Sequence, residues 1–194
     1  PDVRWSVAPI PKVASTLLKR LAVIASGREP LESAALGETR PALAIHRADV
    51  HQLPALSQLP QREQEQLLAD SHGLRLAVTR HPGERLLSFW HDKLHLADPA
   101  YAPLNASVQT AHGHETSDPC TFSEFLAFLS DHWQLLQSDG HLLPQQQWLG
   151  EQVWFNQRLD REQLISDLPP LLEPLLPADR LGRIQQELKR YDRQ

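Results

Sequence analysis

Short apolar runs alternate with longer amphipathic stretches along most of this 194-residue chain. The apolar runs predict strands at about 4–9, 42–46, 74–79 and 153–155. The amphipathic stretches predict helices at about 14–27, 61–71, 82–96, 121–137, 160–168 and 179–191. Residues 97–119 and the proline-rich 169–177 are predicted to be irregular connections. Strands alternating with helices indicate an α/β fold with a mostly parallel central sheet flanked by helices, most simply as one domain over residues 1–194.

The junction between the first predicted strand and helix has the character of an anion site. Lys12 and the hydroxyls of Ser15 and Thr16 lie where the helix begins, and a helix N-terminus offers unpaired N–H groups and the positive end of the helix dipole. The Gly-x-x-x-x-Gly-Lys-[Ser/Thr] pattern of nucleotide triphosphatases is missing. A phosphate-binding loop of another kind is indicated, and a P-loop kinase is disfavoured.

Two further candidates follow predicted strands. Arg80 comes at the end of the buried run 74–79, Pro82 suits the first position of a helix, and Ser88 follows two turns later. His46 closes the second predicted strand. Because ligands of open α/β sheets bind beyond the carboxyl ends of the strands, we expect Lys12, His46 and Arg80 to lie near one another.

Three ordered motifs carry a family resemblance over residues 7–165. The first is Pro-Lys-x-x-x-Thr at 11–16, and the second is Arg-x-Pro-x-x-Arg-Leu-x-Ser at 80–88. The third is Thr-Phe-Ser-Glu-Phe-Leu at 121–126, followed by Gly-His-Leu-Leu-Pro-Gln at 140–145. The set resembles the carbohydrate sulfotransferases that use 3′-phosphoadenosine 5′-phosphosulfate (PAPS), above all the chondroitin, dermatan and HNK-1 branch, here as a bacterial-type soluble member.

The resemblance implies a P-loop-like sulfotransferase fold and a role for each matched residue. The loop expected to hold the 5′-phosphosulfate consists of Pro11, Lys12, Val13, Ala14, Ser15 and Thr16. Arg80 and Ser88 would hold the 3′-phosphate, whereas Arg85 is expected to form a structural ion pair. Lys12 would assist the departing group, and His46 would be the general base. His141 is the alternative base and otherwise an acceptor contact.

Departures from the family pattern fall in all three motifs. The usual Gly-Cys of the first loop is Ala14-Ser15, the usual Asp-Pro-Phe of the second motif is His81-Pro82-Gly83, and Leu142 replaces the Trp beside His141. The donor-binding residues are kept, so the donor is better defined than the acceptor.

Charge and composition narrow the acceptor and the partners. The net charge is −5, and residues 94–157 contain acidic side chains but no Lys or Arg. This pattern disfavours nucleic acid and a highly sulfated glycan, and it favours a less anionic carbohydrate. A tyrosyl or small phenol acceptor, and a non-catalytic nucleotide-binding module, remain the alternatives.

The cysteine count and hydropathy suggest where the protein works. Cys120 is the single cysteine, so no intramolecular disulfide forms and a reducing, cytoplasmic compartment is expected. No run of about 18 apolar residues occurs, although a removed leader or anchor stays open. His112, His114, Asp118 and Cys120 fit no familiar zinc spacing, so we expect no metal.

Overall fold

The computed structural model describes residues 5–30, 45–114, 118–150 and 154–192. The strands are β1 (Trp5–Val7), β2 (Leu74–Thr79) and β3 (Gln157–Asp160). The helices are α1 (Ser15–Ala25), α2 (Ala48–His51), α3 (Gln61–Ala69), α4 (Pro82–Trp90), α5 (Ala102–Ala111), α6 (Phe122–Asp131), α7 (Leu135–Ser138), α8 (Gln145–Leu149), α9 (Leu164–Leu172) and α10 (Ala178–Asp192). Short 3-10 helices occur at Leu56–Gln58, Pro99–Tyr101 and Arg161–Gln163, and a π-helical turn at His91–His95 extends α4.

The described strands form a parallel sheet in the order β1-β2-β3. Trp5 pairs with Leu74, and Thr79 pairs with Asp160. The central strand β2 is buried from Leu76 to Val78, which explains its nearly continuous apolar run, since a central parallel strand is covered on both faces. The predicted α/β architecture with a parallel sheet is confirmed.

The chain divides into two compact units. The first consists of the described parts of Pro1–Thr79 and Leu149–Gln194, and the second of those of Arg80–Trp148. The second unit therefore lies, in sequence, within the connection between β2 and β3. The prediction of a single domain over 1–194 stays a prediction.

The core of the first unit joins the sheet to α1, α9 and α10. Leu164, Leu168 and Leu172 form a fully buried stripe on α9, although Pro169 and Pro170 lie inside this helix. Burying each leucine gains about 1.5–3 kcal/mol, comparable with the roughly 3 kcal/mol that an interior proline costs. The prediction of an irregular 169–177 was wrong in its first part, because the leucine periodicity outweighs the prolines there.

The core of the second unit is built mainly on aromatic and aliphatic side chains of α4, α5 and α6. Phe89 stacks on Phe125 with ring centroids 5.5 Å apart, and Val108 of α5 is buried with them. The helix α5 corrects the prediction that 97–119 is irregular. Pro103 falls in the first turn of α5, where a proline does not break a helix.

Other boundaries were predicted less accurately. The helix predicted at 121–137 starts at Phe122, where Thr121 and Glu124 form a capping box, but it ends at Asp131, and α7 follows separately. Trp154 and Phe155 are not in a strand; the strand is β3, whose only buried residue is Leu159. Such a polar strand has no apolar pattern from which it could be predicted. Most of the predicted strand 42–46 lies outside the described residues.

Candidate active site

The loop after β1 is anchored in the core of the first unit and carries an unusual backbone. Ile10 and Val13 are buried, and the Val13 N–H donates to the Ile10 carbonyl at 3.2 Å. Lys12 lies between these two residues and Ala14 follows them, and their φ angles are 65° and 53°. The left-handed conformation costs a non-glycine residue about 1–2 kcal/mol. Backbone strain of this kind clusters at ligand-binding loops.

The N-terminus of α1 has no side-chain cap. Ala14 is its N-cap residue. The N–H groups of Ser15, Thr16 and Leu17 have no intrahelical acceptor, because the first N–H groups of a helix lack one. The helix dipole adds positive potential at the same place. The loop therefore leads into an uncapped helix start, as predicted from the sequence, and its binding of an anion stays a prediction.

His46 contacts the first two turns of α1, next to this loop. Its Nε2 is 3.0 Å from Thr16 Oγ1, and its Nδ1 is 3.1 Å from Lys19 Nζ. A lysine ammonium can only donate, so Nδ1 accepts and Nε2 carries the proton that is donated to Thr16. The structure therefore joins two predicted residues, Thr16 and His46, directly, and it adds Lys19, which the sequence analysis did not select, on the other ring nitrogen of His46. Lys19 follows Thr16 at the i+3 spacing that puts two side chains on one helix face. This spacing is the sequence feature from which Lys19 could have been selected as a site residue.

The local structure around His46 differs from the prediction. Ile45 and His46 form a 3-10 turn that leads into α2, so His46 does not end a strand in the described part of the chain. Burial lowers the pKa of His51 on α2, and the positive charges of Lys19 and Arg28 lower it further. Burial also lowers the pKa of Lys19. Lys19 and Arg28 thus place positive charge on this side of α1.

Arg80 is held within the second unit by its backbone and its side chain. It directly follows β2, as predicted, and α4 begins at Pro82. The Arg80 N–H donates to Gln145 Oε1 at 2.9 Å, and Gln145 Nε2 donates to the Arg80 carbonyl at 2.7 Å. Arg80 Nε lies 3.3 Å from Glu84 Oε2, and 15% of the arginine side chain is exposed.

The remaining residues of the second motif shape α4. His81 Nδ1 accepts the Gly83 N–H at 3.2 Å and so caps the helix, which explains how His81 replaces the aspartate usual in the family. Ser88 is half-buried two turns along. Arg85 is only 4% exposed, and its Nη2 donates to the His141 carbonyl at 2.8 Å. That contact supports the structural role expected of Arg85, although the acceptor is a carbonyl rather than a carboxylate.

His141 belongs to a polar cluster of the second unit. Its Nδ1 is 2.9 Å from Tyr101 Oη, and the same hydroxyl donates to Asp139 Oδ2 at 2.9 Å. Burial and the Asp139 carboxylate raise the pKa of Tyr101, so the phenol stays protonated. With that proton directed to Asp139, the Tyr101 oxygen accepts from His141 Nδ1, and Nε2 is the basic nitrogen of the ring. Tyr101 was not selected from the sequence, because nothing in its neighbourhood there indicated this contact.

The predicted site residues are thus divided between the units. Lys12, Thr16 and His46 belong to the first, and Arg80, Ser88 and His141 belong to the second. Within the described residues no group of three His, Cys, Asp or Glu could hold a metal ion. His114 is instead paired with Glu124 at 2.9 Å, and Cys120 is buried.

The class of protein follows from this fold together with its loop. A parallel α/β sheet whose first strand leads through a cationic loop into an open helix N-terminus is typical of proteins that bind phosphorylated ligands. A model of the sulfotransferase family matches residues 4–191, nearly the whole chain. The chain therefore belongs to the sulfotransferase family, whose members transfer a sulfuryl group to an acceptor substrate.

The other comparisons add no closer relative. Neither the curated proteins nor the solved structures give a match. The chondroitin, dermatan and HNK-1 branch and the bacterial type stay predictions. Among the described residues, no helix has the length and apolar character needed to cross a membrane.

Proposed function

We propose that this sulfotransferase moves a sulfuryl group from PAPS to a hydroxyl of a carbohydrate acceptor. The observation that carries the proposal is the loop between β1 and α1. It matches Pro-Lys-x-x-x-Thr, bends through left-handed Lys12 and Ala14, and opens onto an uncapped helix N-terminus. PAPS supplies the activated sulfuryl group, with a nucleotide phosphate as leaving group.

The loop residues bind the phosphosulfate end of the donor in this proposal. The N–H groups of Ser15, Thr16 and Leu17 donate to its oxygens, while Pro11 has no N–H and fixes the entry of the loop. Lys12 neutralises the charge that grows on the bridging oxygen as the S–O bond breaks. Thr16 adds its hydroxyl. The positive charges of Lys19 and Arg28, which act on His51 beside α1, favour the same anion.

Arg80 and Ser88 bind the 3′-phosphate of the donor. Arg80 is fixed at its backbone and mostly covered, so little conformational freedom is lost when its guanidinium meets a phosphate. Binding energy gained at this remote phosphate then holds the sulfur in line with the acceptor oxygen.

A histidine accepts the proton of the acceptor hydroxyl as the new S–O bond forms. We propose His46 for this role, with His141 as the alternative. Nδ1 of His46 accepts a hydrogen bond from Lys19, and the protonated Nε2 donates one to Thr16. His46 therefore becomes a base once an incoming ligand draws Lys19 away. In pH–rate profiles, replacing the base with Ala removes the limb set by histidine ionisation, whereas replacing the other histidine preserves it.

The charge pattern supports a carbohydrate that is not heavily sulfated. Residues 94–157 carry Asp98, Asp131 and other acids but no Lys or Arg, and a polyanionic glycan would be repelled by such a segment. A screen of neutral and amino sugars against tyrosyl peptides and phenols distinguishes the two acceptor classes.

Calorimetric titration with 3′-phosphoadenosine 5′-phosphate (PAP) tests the donor. We expect micromolar binding by the wild type, at least tenfold weaker binding by Arg80→Ala, and no comparable binding of ATP. Equal affinity for ATP, or no binding of PAP, would overturn the proposal. Binding of PAP without turnover of PAPS on any acceptor would favour the non-catalytic module.

A further inference from the structure

The amide of Gln145 makes two hydrogen bonds to one backbone residue. Its Oε1 accepts the N–H of Arg80 and its Nε2 donates to the carbonyl of the same residue, at 2.9 and 2.7 Å. A neighbouring β-strand makes the same pair of bonds to a residue of the next strand. Gln145 therefore takes the place of a strand partner at the point where the chain leaves β2, and it holds the peptide groups on both sides of Arg80.

The turn that carries Gln145 is itself well fixed. Asp139 accepts the N–H of His141 with a carboxylate oxygen at 2.6 Å and the N–H groups of Leu142 and Leu143 with its carbonyl, at 2.9 and 2.8 Å. Leu142 is buried in the core of the second unit. These hydrogen bonds and this packing thus fix the segment that precedes Gln145.

A second contact joins the same two segments. Arg85 of α4 reaches back to the His141 carbonyl at 2.8 Å, so residues 80–85 and 141–145 are tied at both ends. Three consecutive glutamines stand at 145–147, and of these Gln145 is half-buried whereas Gln146 and Gln147 are exposed. The contact is therefore a property of one position and not of a glutamine-rich surface.

We propose that Gln145 is a positioning residue that sets the affinity for the 3′-phosphate by fixing the backbone of Arg80. The inference rests on the proposed function, in which Arg80 binds that phosphate. Without the amide, residue 80 gains backbone freedom, and the guanidinium must be ordered when the ligand binds. Gln145 itself touches no ligand in this proposal.

The test compares two nucleotides that differ in the 3′-phosphate, PAP and adenosine 5′-monophosphate. Gln145→Leu removes both hydrogen bonds at similar volume, and Gln145→Glu keeps the acceptor for the Arg80 N–H but loses the donor. Gln146→Leu and Gln147→Leu are matched controls on the exposed neighbours. Affinities are measured by calorimetry, with the melting temperature of each variant.

We expect Gln145→Leu to weaken PAP binding by about tenfold or more. Gln145→Glu should weaken it at least as much, because a carboxylate then faces the Arg80 carbonyl and adds negative charge near the phosphate. The affinity for adenosine 5′-monophosphate should change by less than about twofold. Both control variants should resemble the wild type. Equal losses for the two nucleotides would overturn the inference, as would unchanged PAP binding or failure of both Gln145 variants to fold. Failure of the proposed function is a separate result, since the wild type would then not prefer PAP.

Discussion

Arg85 offers a direct test of how the second unit is held together. Its guanidinium is 4% exposed and donates to the His141 carbonyl at 2.8 Å. Burial lowers the pKa of the guanidinium, and the nearby Asp139 carboxylate partly opposes this effect. Arg85→Met keeps most of the apolar stem but removes the charged donor. A hydrogen bond to a charged group contributes about 1.5–3 kcal/mol, so we expect the free energy of unfolding to fall by roughly that amount.

Urea denaturation followed by tryptophan fluorescence and circular dichroism measures this loss. A loss of about 1.5–3 kcal/mol corresponds to a melting temperature lower by roughly 3–12 °C in a chain of this size. Arg62→Met is the matched control, because Arg62 is exposed on α3, and such a surface change alters stability by less than about 0.5 kcal/mol. Arg85→Lys should be intermediate, since an ammonium lacks the planar geometry of the guanidinium.

The same variants separate a structural Arg85 from a ligand-binding one. If Arg85→Met unfolds like the wild type while its PAP affinity falls more than tenfold, the reasoning from burial is refuted and Arg85 belongs to the donor site. Loss of stability with PAP affinity retained in the folded fraction supports the structural role.

Three further predictions concern single side chains. Glu84→Gln removes a carboxylate 3.3 Å from Arg80 and should tighten PAP binding about two- to fivefold at low salt; weaker binding would contradict the competition between Glu84 and phosphate. Burial raises the pKa of the Cys120 thiol to about 11. Alkylation of this thiol at pH 8, followed by mass spectrometry, should therefore be slow in the native protein and rapid in urea. Rapid alkylation of the native protein would contradict the prediction. The stability that the neutral thiol contributes is present below its ordinary pKa of 9.0 and should be lost as the pH rises toward 11. Ala14→Gly removes the strain of a left-handed alanine, which costs about 1–2 kcal/mol, whereas glycine costs about 0.5–1 kcal/mol in chain entropy. Urea denaturation should therefore show a free energy of unfolding higher by about 0.5 kcal/mol for Ala14→Gly and lower for the control Ala22→Gly inside α1. A lower free energy of unfolding for both variants would contradict the prediction.

The elements that follow from local patterns were predicted from the sequence. The near-continuous apolar run of β2 and the proline at the start of α4 each act over a few neighbouring residues. The strand-to-helix loop with Lys12 is of the same kind, since a lysine between an apolar run and a helix start can be read directly. Local sequence determined these features because their energies come from contacts within about one helical turn.

Other features depend on residues far apart in the chain. The polar strand β3 exists because β2 offers it a parallel edge, with Leu76 paired to Gln157. Gln145 meets Arg80 across 65 positions, and His46 meets Thr16 across 30. No local pattern encodes such pairs, because either partner would be an ordinary polar side chain elsewhere on the surface. The sequence alone thus determined the class of fold, the strand-to-helix loop with Lys12 and the family resemblance. Only the tertiary structure decided which side chains hold Arg80 and His46 in place, since chain folding brings distant polar groups within hydrogen-bonding distance.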